Sequence, residues 1–463
     1  MCETSSCRQP TKNGWIELKN LDLRAGEYKV HLISKLFSGP DLPYSLIAST
    51  DSFVIEPSPF RAFRPGPTTK RDGTTGLRVA ENINVRVIAE TGRRVRYTSP
   101  EATEYESSLA FHSEPDGAAI FPLSDRGFVY MSNAELGDRR GGVFAVEFDQ
   151  NGEVKRYEQR LRGTSYNCSG GSTSYGTYVS CEEWSGGMCW QVDPTGRRNP
   201  EVTNLVEPGN HEAMAQDNRD PRRPCFFVTE DHPYGALRRW CPDPRNVKLD
   251  STNSQWNMLH GTGARTYLEI YDGSNQFGWT NDIDRGRRSA NKYFPGSEGI
   301  TFDGKGKLYV VSKTRRLLYS FDLDRMTYKS ESTARGLFNG GSFEAEPDQI
   351  SQFEPGDRYQ YLTEDGGSSA GLFAREKATG NMYTLFYTND SRFDTDEITG
   401  VALSPDGRFL YACVQERGYF LELSRSDGER FEGRTSNLKF HARHDNGGGM
   451  EEDNIFHSAR QHG

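Results

Sequence analysis

The chain is short of apolar residues. Hydrophobic side chains make up 34% of its 463 residues, mean hydropathy is −0.77, and no run approaches the roughly 20 apolar residues of a membrane-spanning helix. Met1-Cys2-Glu3-Thr4-Ser5-Ser6-Cys7 lacks the basic-then-apolar pattern of an export leader. Basic residues are in the minority, 56 Lys and Arg against 65 Asp and Glu. The net charge of −9 argues against nucleic acid or an anionic membrane as a general partner. The 8 cysteines lack zinc-type CxxC spacing; Cys181 with Cys189, or Cys225 with Cys241, are candidate disulfides that spacing alone does not decide. Long amphipathic helical patterns are scarce. Low hydrophobicity can mark disorder, but aromatics at 12% and 48 glycines, set among β-branched runs, fit an all-β fold rich in turns.

What is present is a repeat. Residues 1 to about 100 are irregular, with Pro59, Pro65 and Pro67 interrupting short strand-like runs, and read as an N-terminal extension or strap. Regular texture begins near residue 103. Glu298 to Phe302, an Asp303-Gly304 turn, Leu308 to Ser312 and Leu317 to Asp322 read as strand, tight turn, strand, turn, strand. Glu397 to Ser404, Asp406-Gly407, Phe409 to Val414 and Tyr419 to Leu423 repeat it. Further units fit around 103–160, 164–206, 207–275 and 346–388, a spacing near ~40–50 residues per unit. The expectation is a six-bladed β-propeller over residues 101–430, with 241–295 as a polar loop insertion and 431–463 as a C-terminal tail.

Acidic pairs keep ending the strand-like runs: Asn133-Ala134-Glu135, Cys181-Glu182-Glu183, Thr229-Glu230-Asp231 and Thr363-Glu364-Asp365. Other acids open strands: His211-Glu212, Glu298-Gly299, Pro347-Asp348 and Asp396-Glu397. Acids at one place in successive blades converge on the channel mouth. Carboxylates crowded there resist ionising unless cations join them. Cys168, in Asn167-Cys168-Ser169-Gly170-Gly171, adds a thiol to this set. Calcium and magnesium prefer oxygen, whereas a thiolate favours a softer transition metal; the alternative is that Cys168 is simply a small buried hydrophobe. His211-Glu212 and Glu230-Asp231-His232 are further candidate ligands. Asp193, Asp303 and Asp406 sit in Gly-containing turns where Asx geometry is sufficient explanation. Gly367-Ser368-Ser369-Ala370-Gly371 matches a nucleophile elbow in letters but lacks its strand-then-helix setting.

From about residue 125 to 420 these residues resemble the PhoX-type alkaline phosphatases. The likeness is most specific from Asn167-Cys168-Ser169-Gly170-Gly171 to Cys181-Glu182-Glu183, followed in order by Thr229-Glu230-Asp231, Ser297-Glu298-Gly299, Pro347-Asp348 and Glu397-Ile398-Thr399-Gly400. The resemblance implies a six-bladed propeller that hydrolyses phosphate monoesters at an iron and calcium cluster. It also implies Cys168, Glu183, Glu230, Glu298 and Asp348 as iron and calcium ligands, and Asn133, Glu135, Glu182, Asp231 and Glu397 in calcium-binding or supporting roles. The likeness departs where the family carries a phosphate-gripping Arg: here that residue is Gly296. His232, Arg315 and Arg316 are the candidates for gripping substrate instead, with Lys313 a further basic residue of that loop. The implied partner is a small phosphate ester. A monomer suffices for a channel-mouth site, and the family's export stands against the missing leader. Readings from other classes are a calcium-stabilised propeller that binds without catalysis, and a lactonase-like hydrolase with one divalent metal; neither needs the thiol.

Overall fold

In the computed structural model, residues 77–431 are described except 81–82, 337–338, 341–342, 356, 368 and 389–395; before residue 77 it describes short backbone strands alone. The expected C-terminal tail and most of the N-terminal extension lie outside the described residues.

The protein is a six-bladed β-propeller. Six antiparallel sheets follow one another in chain order, and their innermost strands are Pro115–Pro122, Gly171–Ser172, His211–Asp217, Ser297–Phe302, Glu346–Ser351 and Ile398–Leu403. Each packs beside the next, and the sixth returns to the first. The second strands are Phe128–Ala134, Tyr178–Cys181, Cys225–Glu230, Lys307–Ser312, Tyr359–Asp365 and Phe409–Val414. These lie between neighbouring blades and are covered on both faces, so they read as near-continuous apolar runs such as Val129-Tyr130-Met131 and Leu308-Tyr309-Val310-Val311. Aromatic rings seal the joint between the last and first blades: Tyr130 stacks on Phe420 at 4.4 Å and Phe148 meets Tyr411 at 5.2 Å.

The chain closes the ring with its own early segment. Ile83–Glu90 pairs along Tyr419–Arg425 as the outer strand of the sixth blade, and Arg86 clasps Glu422 through two bonds of 2.8 and 2.7 Å. Leu77–Val79 adds to the outer edge of the fifth blade beside Met382–Thr388. Part of the expected strap is therefore blade.

The stretch 241–295 also differs from the loop insertion expected of it. Gly263–Ile270 and Phe277–Thr280 extend the third blade to five strands, and the helix Ile283–Tyr293 lies over them, with the side chain of Asp282 capping its N-terminus. Outer strands face solvent, so Ala264-Arg265-Thr266 and Asn275-Gln276 have the polar texture of a loop while Tyr267, Leu268, Ile270 and Phe277 are buried. Both candidate disulfides form, Cys181–Cys189 and Cys225–Cys241, each across neighbouring strands. Asp303 bonds the backbone N–H groups of Lys305 and Lys307 at 2.7 and 2.9 Å, an Asx turn.

Candidate metal centre

The site is built by a repeated irregularity. At the start of four innermost strands the pairing with the second strand skips a residue: Pro115 pairs with Ala134 but Ala118 with Ser132, His211 with Glu230 but Met214 with Val228, Ser297 with Ser312 but Ile300 with Val310, and Pro347 with Glu364 but Ile350 with Leu362. In the second blade Asn167 bridges Glu182 before regular pairing resumes at Gly171 and Val179. A β-bulge bends the strand and re-aims its side chain. The first residue after the paired one is Asp116, Cys168, Glu212, Glu298 or Asp348 in blades one to five. These form an inner ring. The residue after the matching end of the second strand is Glu135, Glu183, Asp231, Lys313 or Asp365, and these form an outer ring. The sixth blade breaks the pattern. Its bulge falls at Gly400, in the left-handed region at φ +65°, where a Cβ would collide with the Tyr130 hydroxyl.

Glycines bring the blades together. A Cβ on Gly117 would overlap the Ser169 backbone, and one on Gly299 would lie 2.5 Å from the Ile350 nitrogen. Neighbouring innermost strands thus approach backbone to backbone and draw the ring side chains together. Three sets of three ligand atoms result, each within 4.8 Å of one another: Asp116 with Glu135 and Cys168; Cys168 with Glu183 and Glu212; and Glu212 with Glu298 and Asp348. Cys168 is shared by the first two sets and Glu212 by the second and third. A cavity of about 1040 Å³ is lined by residues such as Ile120, Met214, Thr301 and Leu403 and by none of the ring acids.

Supporting bonds fix the geometry. The Asn133 amide donates to the Cys168 and Ser169 carbonyls, holding the loop that carries the thiol. Gln415 donates to Glu135 at 2.8 Å. Gln349 donates to Asp116 at 2.7 Å and accepts from the Gly400 N–H at 2.9 Å, tying three blades. The Cys168 thiol donates to Glu183 at 2.9 Å.

Electrostatically the centre is strained in the absence of cations. Burial, reinforced by neighbouring carboxylates, raises Asp116, Glu298, Asp348 and Glu397 well above the usual carboxylate range. Glu183 is pushed up to about 9, by burial first and then by Glu212. Glu212 reaches about 7, again chiefly through burial. Burial and then Glu135 and Glu212 also lift the Cys168 thiol.

Of the residues expected from sequence, Cys168, Glu183, Glu298, Asp348 and Glu135 fall within the three sets. Asp231 lies beside them, and Glu397 faces Asp348 and Asp365 from the sixth blade. Glu182 and Glu230 turn away from the rings, and Asn133 holds the loop that carries Cys168. Glu182 accepts from the Ser165 N–H at 2.8 Å, the Met188 N–H at 3.3 Å and the indoles of Trp184 and Trp190 at 3.4 and 2.9 Å. Glu230 turns to buried Arg238, 2.6 Å away. Successive strand residues point to opposite faces, so each acidic pair sends one carboxylate to the ring and the other away. The substrate candidates each make a backbone contact. Arg315 donates to the Lys292 carbonyl at 2.9 Å, Arg316 to the Phe343 carbonyl at 2.9 Å, and His232 accepts from the Tyr234 N–H at 3.1 Å. Asp116, Asp365 and Lys313 were not among the assigned site residues, and Glu212 was noted only as a further candidate ligand. The missed signal for Asp116 was a literal repeat, Glu114-Pro115-Asp116 against Glu346-Pro347-Asp348.

No family model matches the chain, and no curated protein sequence matches it. Among solved structures, it is similar to PhoX of Pseudomonas fluorescens in complex with vanadate, a transition state analogue, with a TM-score of 0.61 and 14% identity over 80% of this chain and 99% of that one. A protein of unknown function from Bacteroides thetaiotaomicron has a TM-score of 0.45 at 10% identity, covering 88% of this chain and 84% of its own. An inactive variant of virginiamycin B lyase from Staphylococcus aureus has 0.39 at 10%, covering 74% and 99%. At these identities the likeness establishes the propeller fold alone.

Proposed function

We propose that this propeller is a metal-dependent phosphatase hydrolysing phosphate monoesters at its double ring, with iron and calcium as the metals. The observation that carries the reading is Cys168, a buried thiol shared between two sets of carboxylates. The donors fit such ions. The two sets containing the thiol suit a transition metal such as iron, and the all-carboxylate set of Glu212, Glu298 and Asp348 suits calcium. Asn133 Oδ1, buried and without a hydrogen-bond partner, offers a further oxygen. When bound, the metals would supply Lewis-acid charge that holds the phosphoryl oxygens and promotes in-line attack by water. The chain's own part is to orient. Asn133 fixes the thiol loop, Gln415 fixes Glu135, and Gln349 fixes Asp116 against the sixth blade. No helix among the described residues is long and apolar enough to cross a membrane, and two disulfides suit an oxidising compartment.

A second reading, a metal-holding propeller that binds without hydrolysing, draws support from Gly296. A Cβ there would lie 2.9 Å from Thr314 Oγ1 and 3.1 Å from Asp231 Oδ1, so an arginine clamp does not fit that corner as it stands. A lactonase-like site with one metal would leave the thiol without a role. The test is hydrolysis of an aryl phosphate and of a sugar lactone by the purified full chain, with and without chelation, beside Cys168→Ser. Monoester hydrolysis lost on chelation and in the variant supports the phosphatase. A full metal complement with no ester hydrolysis turns the assignment to binding.

A further inference from the structure

Four of the five outer-ring positions carry a carboxylate: Glu135, Glu183, Asp231 and Asp365. The fourth blade breaks the rule with Lys313. Its ammonium lies 3.0 Å from Glu298 Oε1, 3.0 Å from Asp365 Oδ2 and 3.5 Å from Asp231 Oδ2. Those carboxylates come from the fourth, fifth and third blades. Asp231 accepts a hydrogen bond from the ammonium, and Glu298 and Asp365 face it as ion-pair partners, the arrangement of a cation among oxygen ligands.

Gly296 belongs to the same corner. It sits at φ +60°, and a Cβ there would press on Thr314 Oγ1, Asp231 Oδ1 and, at 3.5 Å, Lys313 Cβ. A bare glycine leaves room for the lysine stem and for Asp231 to face the ammonium. The lysine also draws on Glu298, an oxygen donor of the all-carboxylate set.

We propose that Lys313 is a built-in cation that occupies the position among Asp231, Glu298 and Asp365 which the ring would otherwise fill with a further divalent metal ion. This rests on reading the rings as a cation centre. A tethered ammonium offsets one of the three negative charges and cannot dissociate. The three sets around Cys168 and Glu212 remain for metal ions, and the corner among Asp231, Glu298 and Asp365 is held by the protein itself.

The test is a metal count by equilibrium dialysis of the full chain against calcium, followed by elemental analysis, for wild type, Lys313→Met and Lys313→Arg. Removing the ammonium exposes three carboxylates at spacings that small shifts adapt to calcium. The methionine variant is expected to bind one more calcium per chain than wild type, and its melting temperature to rise on calcium addition by more than that of wild type. The arginine variant is expected to keep the wild-type count. An unchanged count in Lys313→Met overturns the proposal; Lys313→Gln is read in the same way should the methionine variant fail to accumulate. The readout is a difference between variants and needs no turnover. A wild type that hydrolyses no ester therefore removes the phosphatase reading and still leaves Lys313 to be decided by the count.

Discussion

If the rings hold cations as proposed, stripping them should make this protein less stable as pH rises. In the folded, cation-free chain Glu212 is held up to about 7 and Glu183 to about 9, against an ordinary carboxylate value of 4.5. Between 4.5 and about 7 both groups keep a proton in the folded state that they lack when unfolded. A raised carboxylate contributes stability that is complete below its unfolded value and lost as pH climbs towards its folded value. Each such group removes about 1.4 kcal/mol of stability per pH unit. The pair together removes about 3 kcal/mol per unit up to roughly pH 7, and Glu183 alone about half that slope up to roughly pH 9. Bound cations displace those protons and abolish the dependence. The assay is urea unfolding of chelated and of iron- and calcium-loaded protein at about pH 6 and about pH 8. The chelated form should lose more than about 2 kcal/mol across this interval, and the loaded form should change little. Equal stability of the chelated protein at both values would refute the reasoning, because it would mean that the ring carboxylates carry no strain for metals to relieve.

Four substitutions test the geometry. Glu183→Gln should reduce metal content, whereas Glu182→Gln should leave the metals in place and lower stability by about 1–3 kcal/mol, since Glu182 serves N–H donors; elemental analysis and melting separate the two. Arg238→Met leaves Glu230 and Glu207 without their shared cation and should cost about 3–5 kcal/mol in urea unfolding. A loss below about 1 kcal/mol would show that Glu230 finds another partner. Gly117→Ala forces a Cβ into the Ser169 backbone, and so should both destabilise the chain by at least about 1–3 kcal/mol and lower metal content by parting Asp116 from Cys168.

The propeller was legible because its second strands are apolar on both faces and its turns carry Asp-Gly. The ring was half legible. An acid after an apolar run announces Glu135, Glu183 and Asp231, but adjacent acids look alike in a string while their side chains leave the strand in opposite directions. Hence Glu182 and Glu230 were assigned beside the residues that do face the ring. Glu212 and Asp348 show because they open strands, and Asp116 is marked only by the likeness of Glu114-Pro115-Asp116 to Glu346-Pro347-Asp348. Ring closure by Ile83–Glu90 is a pairing across more than three hundred residues, as with Glu90 and Tyr419, and local pattern carries no trace of it. The outer strands of the third blade were lost because exposed strands have the composition of loops. Arg315, Arg316 and His232 stand out by charge and proximity in sequence, and in the structure each bonds a backbone group of a nearby segment.

The most direct measurement is elemental analysis of the purified wild-type chain alongside Cys168→Ser. The account predicts iron together with calcium in wild type, and loss of iron with retention of calcium in the variant. A wild type without iron, or iron unchanged when the thiol is gone, would contradict it.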